Sequence, residues 1–173
     1  MSGAQNIILV GPMGSGKSAV GKQLARELRL PFVDSDLEIE SRTGADIPLI
    51  FEKEGEAGFR AREREVIAEL VEREGIVLST GGGAILLADN RRVLREHGIV
   101  VYLETSVAQQ VARVRDGENR PLLSGADDMA GRLTQLMAQR EALYREVAHI
   151  TVGTDGKRVR EVVARIRRQL PPA

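Results

Sequence analysis

Cysteine is absent from the chain, and so are an excess of charge of either sign and any uninterrupted apolar run of membrane-spanning length. Without cysteine there are no disulfides and no thiolate metal sites, which permits a reducing compartment. Twenty-five Lys and Arg residues balance twenty-five Asp and Glu residues. Bulk electrostatic attachment to nucleic acid needs a basic excess to displace counterions, so any anion binding here must be local. The N-terminal residues lack the basic stretch of a secretory leader, and the expectation is a cytoplasmic protein with no nucleic-acid or membrane partner. Aromatics are scarce, with three phenylalanines and two tyrosines. What remains is ordinary globular material: 173 residues, 42% hydrophobic and 29% charged, enough to bury one substantial core. We read residues 1–173 as a single domain.

The organising stretch is Gly11-Pro12-Met13-Gly14-Ser15-Gly16-Lys17-Ser18, which fits the phosphate-loop pattern G-x-x-x-x-G-K-[ST] in full. An apolar run, 6–10, precedes it and an amphipathic segment, 17–29, follows, which is the strand-then-helix context the motif requires. Small residues let the backbone curl around an anion with a helix N-terminus behind it. Gly14, Ser15, Gly16, Lys17, Ser18 and Ala19 are therefore candidates for holding nucleotide phosphates. Lys17 supplies charge near the β and γ phosphates, and the Ser18 hydroxyl suits Mg²⁺.

Apolar runs then alternate with helical periodicity. Strands are expected at 6–10, 31–34, 76–79, 99–103 and 149–152. Helices are expected at 17–29, 37–42, 46–54, 57–73, 87–97, 106–115, 129–146 and 158–170. This alternation implies an α/β fold with three α/β/α layers around a five-stranded parallel sheet. Periodicity lapses over 116–125, which reads as a surface loop. His97 and His149 have no partner at metal-ligand spacing.

Ligands of parallel sheets gather at the carboxyl ends of strands. Besides the phosphate loop, the segments there are Asp34-Ser35-Asp36, Gly81-Gly82-Gly83 and Glu104-Thr105. In extended chain Asp34 and Asp36 project to the same side. Asp34 is the candidate to support Mg²⁺, and Asp36 to accept a hydrogen bond from the attacking hydroxyl. Either could instead cap the following helix. Three successive glycines imply close backbone approach or positive φ.

In order and spacing, the phosphate loop, Asp34-Ser35-Asp36, Phe59-Arg60 with Glu63, Gly81-Gly82-Gly83, Arg120-Pro121-Leu122-Leu123 and Arg140 with Tyr144 resemble the shikimate kinases over nearly the whole chain. The resemblance implies transfer of the γ-phosphoryl of ATP to the 3-hydroxyl of shikimate, with Mg²⁺ as cofactor and shikimate and ATP as partners; with no extra apolar segment visible, a monomer is the default expectation. It implies substrate-binding helices over about 35–64 and a lid over about 113–127, with Arg120 reaching the phosphates. A carboxylated triol calls for a guanidinium fork, and Arg60 and Arg140 are the candidates. Glu63, three residues after Arg60, is placed to steady it. Gly81, Gly82 and Gly83 would face the ring hydroxyls. Phe51 and Phe59 either wall the pocket or pack the core. Arg113 resembles the family's adenine-side arginine. Lys157 is the other adenine candidate, although the segment 154–158 lacks a proline found in some family members.

Three competing functions remain at this level. A related kinase could act on gluconate or a nucleoside monophosphate. A switch or assembly ATPase would need a guanine-selecting segment or a further domain, and neither is visible. An inactive nucleotide binder would be expected to have lost Lys17, Asp36 or Arg120, and all three are present.

Overall fold

The computed structural model describes residues 4–114 and 128–172. Five strands, β1 (Asn6–Val10), β2 (Phe32–Asp34), β3 (Val77–Ser79), β4 (Gly98–Glu104) and β5 (Ile150–Gly153), form one sheet in the order β2-β3-β1-β4-β5. Every pairing is parallel. The central strand, β1, is buried along its whole length, as expected for an apolar run covered on both faces.

Alternate strand residues feed two cores. Ile8, Val10, Leu78, Val100 and Tyr102 point to one face, and Ile7, Leu9, Val77, Val101 and Leu103 to the other. The second face is covered by α1 (Lys17–Leu28), through Val20 and Leu24, and by α7 (Val159–Gln169), through Val162, Val163 and Ile166. The first is covered by α2 (Ser35–Thr43), α3 (Ile47–Leu70), α4 (Ala88–His97) and α6 (Met129–Val147). A short helix, α5 (Val107–Val114), contributes Val114 to a small cluster with Leu133 of α6. The three layers and the five parallel strands match the sequence reading. Among the described residues no helix is long and apolar enough to cross a membrane.

Local boundaries follow local chemistry. α3 runs continuously in hydrogen-bonding terms, but Gly55 has φ 73 and ψ 179, so it comprises two helical segments, as the glycine implied. Asp46 caps the first segment by accepting from the Leu49 N–H at 2.9 Å. The sequence placed the start of α2 near Leu37. It starts at Ser35, because the Asp34 carboxylate accepts the N–H groups of Asp36 and Leu37 and draws the turn tight. The extended-chain geometry expected for Asp34 and Asp36 is therefore wrong: Asp36 lies in the first turn of a helix.

One glycine fixes a layer spacing. A Cβ on Gly21, inside α1, would stand 2.5 Å from the Phe32 ring and 3.2 Å from a Leu9 methyl. Glycine in a helix costs about 1 kcal/mol relative to alanine, yet overpacking costs about 1–3 kcal/mol, so sterics should win. Gly21→Ala is accordingly expected to lower stability by up to a net ~2 kcal/mol in urea denaturation; a more stable variant would contradict this packing.

Candidate active site

The phosphate loop connects the central strand to α1. Gly14 and Gly16 have φ of 80 and 88, which alanine would adopt only with strain. No side chain caps α1 at Gly16, so its first N–H groups face the loop interior. Lys17 folds over that interior and donates through Nζ to the carbonyls of Gly11 (2.6 Å) and Pro12 (2.9 Å). Ser18 Oγ donates to Asp34 Oδ2 at 3.4 Å, while Asp34 Oδ1 serves the α2 cap. One Asp34 oxygen thus caps α2, and the other faces Ser18. Ser18 and Asp34 together offer hard oxygen donors of the kind Mg²⁺ takes while keeping most of its waters.

Beside the loop, the Thr80 hydroxyl donates to the Leu9 carbonyl at 2.8 Å and fastens the start of the glycine turn to β1. None of the three turn glycines has positive φ. Each instead lies against a different group. A Cβ on Gly81 would lie 2.8 Å from Asp36 Oδ1 and 3.2 Å from Glu63 Oε2. On Gly82 it would lie 3.6 Å from an Arg140 terminal nitrogen and 3.5 Å from the Met13 backbone nitrogen. On Gly83 it would lie 2.3 Å from an Arg60 terminal nitrogen. Close approach, not backbone conformation, explains Gly81 and Gly83, while the contacts around Gly82 are of ordinary van der Waals length.

The charged groups around the turn are withdrawn from water. Glu63 is fully buried and accepts from the Arg60 guanidinium at 2.8 Å, the pairing expected from their spacing. Arg60 also lies over the Phe59 ring, 5.2 Å from its centre. Phe59 is buried in the core and Phe51 packs against its ring, so these phenylalanines support the site from behind. Arg140 is 5% exposed, which its sequence position gave no means of seeing. Asp36 Oδ1, Glu63 Oε2, Arg60 Nε and Arg140 Nε are all buried without a hydrogen-bond partner. Orphans gathered in one place mark a surface built for a polar ligand.

Burial, assisted by the charges of Glu63 and Asp34, pushes the Asp36 carboxyl up from 3.8 to about 7, against the pull of Lys17 and Arg60. Glu63 is also raised by burial, opposed by Arg60 and Arg140. Tyr144, on the same face of α6 as Arg140, donates its hydroxyl to the Gly82 carbonyl. The sequence paired Tyr144 with Arg140 but gave it no role; the one available signal was their four-residue separation.

The other side of the loop is separate. Arg113 donates to the Gly14 carbonyl at 2.9 Å, so it braces the phosphate loop itself. The Asp155 carboxyl accepts the Ser106 N–H and is held below its ordinary range, first by that bond and also by the charges of Arg113 and Lys157. Lys157 and Arg113 thus share the edge where β4 and β5 end. Arg120 and the remainder of the expected lid, 115–127, lie outside the described residues.

A family model described as shikimate kinase matches residues 13–171. A curated shikimate kinase of Pseudomonas syringae pv. tomato is 56% identical over 172 residues, spanning 97% of this chain and 99% of that protein. The solved shikimate kinase from Acinetobacter baumannii in complex with shikimate has a TM-score of 0.92 and 51% identity, covering 95% of this chain and 92% of that one. A gluconokinase from Sinorhizobium meliloti, at TM-score 0.61 and 22% identity over 95% and 90% of the two chains, shares the fold alone.

An acid whose pKa is raised in the fold stabilises it below the unfolded value and loses that contribution as pH rises through the folded one. Asp36 should therefore weaken the fold progressively between about pH 4 and pH 7. Asp36→Asn is expected to be more stable than the parent at pH 8 by about 1–2 kcal/mol, with the gain vanishing near pH 4. Thermal unfolding at the two pH values checks this, and equal stability at pH 8 would refute the burial of a charged Asp36.

Proposed function

The chain belongs to the shikimate kinase family, and on that premise we propose which of its residues carry the reaction. It is an ATP-dependent kinase that transfers the γ-phosphoryl of ATP to the 3-hydroxyl of shikimate, giving shikimate 3-phosphate and ADP on the route to chorismate and the aromatic amino acids.

The observation that carries the residue assignment is the convergence of Asp36, Arg60 and Arg140 on three adjacent glycines touching the phosphate loop. Shikimate would bind there. Arg60, held by Glu63, and Arg140 form the fork for its carboxylate, and the backbone of Gly81, Gly82 and Gly83 meets the ring. Asp36, with its carboxyl near neutrality, accepts the proton of the 3-hydroxyl as that oxygen attacks the γ-phosphorus. Lys17 exchanges the Gly11 and Pro12 carbonyls for the β and γ phosphate oxygens, and the N–H groups of Gly14, Ser15, Gly16, Ser18 and Ala19 cradle them.

Ser18 and Asp34 would hold Mg²⁺, whose contribution when bound is to neutralise the phosphate oxygens. Arg120 adds a further cation to the phosphates, and Arg113 and Lys157 border the adenine. In-line transfer then needs orientation and charge stabilisation with no covalent enzyme intermediate. A cytoplasmic monomer whose partners are small molecules completes the reading, and the lack of cysteine permits a reducing compartment.

Steady-state ADP release by two variants tests the assignment. Asp36→Asn should lose about 10²–10⁴-fold in kcat with the ATP KM preserved. Arg60→Ala should chiefly raise the shikimate KM, by about tenfold or more. Unchanged turnover in the first, or an effect confined to ATP in the second, would remove that residue from its role.

A further inference from the structure

Tyr144 has an unusual position for a residue outside the expected substrate contacts. It is fully buried on α6, its ring stacks on Tyr102 of β4 with centroids 5.1 Å apart, and its hydroxyl donates to the carbonyl of Gly82. Arg140 lies four residues earlier on the same helical face, with a terminal nitrogen 3.6 Å from where a Gly82 Cβ would stand. α6 thus reaches the glycine turn twice, by a guanidinium and by a phenol. The phenol fixes the distance, because it is a short rigid group held in plane by the stack, whereas Arg140 has several rotatable bonds. Burial raises the phenol further above its ordinary range, so it remains a donor at any working pH.

We propose that Tyr144 is a positioning residue: its bond to the Gly82 carbonyl sets the gap between the Gly82 backbone and the Arg140 guanidinium, and so the acceptor's carboxylate-to-ring reach. This rests on the assignment of Gly82 and Arg140 to shikimate. Without the hydroxyl the half-buried Gly82 carbonyl loses its side-chain donor, and the turn has reason to shift towards another. Arg140, with a terminal nitrogen beside Gly82, is a donor at hand, and a guanidinium satisfying a carbonyl is less available to a carboxylate.

Tyr144→Phe keeps the ring and its stack and removes only the hydroxyl, with its bonds to the Gly82 carbonyl and to Arg140. The expected result is a shikimate KM raised about 5–50-fold, with the ATP KM within about twofold of the parent. Tyr102→Phe keeps the stack and leaves Gly82 untouched, and should match the parent in both constants. Equal effects on both substrates, or none on shikimate, in Tyr144→Phe would overturn the proposal. Arg140→Lys separates it from its premise. If that variant retains the parental shikimate KM, the assignment of Arg140 fails; if it raises the KM while Tyr144→Phe does not, only the role of Tyr144 fails.

The chain has two tyrosines, so 3-fluorotyrosine incorporated into the Tyr102→Phe protein reports from position 144 alone. This measurement stands even if Tyr144→Phe does not fold. Saturating shikimate should displace the ¹⁹F resonance, and an unmoved resonance would overturn the proposal.

Discussion

The absence of side chains at Gly81 and Gly83 is the constraint on which the rest of the site depends. Asp36 comes from α2, Arg60 and Glu63 from α3, and each crowds the space that a Cβ on Gly81 or Gly83 would take, while Arg140 from α6 lies in van der Waals reach of Gly82. The sheet order brings this turn against the phosphate loop. β3 is a neighbour of β1, the Thr80 hydroxyl holds the Leu9 carbonyl, and Gly82 lies against the Met13 nitrogen. Under the proposed assignment, acceptor and nucleotide ends of one reaction are thereby built on adjacent strands, and the β4 and β5 ends, with Asp155, Arg113 and Lys157, are left for the remainder of the nucleotide.

The arrangement opposes stability. Two carboxylates with raised pKa and two buried guanidinium groups with unpaired Nε atoms are held within one small volume. Only Arg60 and Glu63 satisfy each other directly, and breaking such a buried pair by removing one partner costs about 3–5 kcal/mol. The apolar layers on both faces of the sheet offset this strain, with β1 covered along its length. A ligand that carries a carboxylate and several hydroxyls supplies what the orphaned atoms lack.

Much of this was legible in the sequence where the physics is local. The run before Gly11 could only be a buried strand, the loop motif specifies its own geometry, and Gly55 does break its helix. The glycine triplet announced close approach without saying what approaches. The geometry of Asp34 and Asp36 was misread because a cap that forms in the same residues as a strand end changes the projection of both side chains. Arg140 and Tyr144 were identifiable only through resemblance, since burial of an arginine among twenty-five basic residues leaves no periodic trace. Arg113 braces the phosphate loop through the Gly14 carbonyl, a contact across 99 residues that no local pattern encodes.

The most direct measurement is on Gly81→Ala, assayed for shikimate-dependent ADP release and, separately, for ATP binding by calorimetry. The added methyl would press on the Asp36 and Glu63 carboxylates. If the glycine turn organises the acceptor site, turnover falls by about 10²-fold or more while the ATP dissociation constant is preserved. Parental turnover, or parallel loss of ATP binding and turnover, would contradict that account.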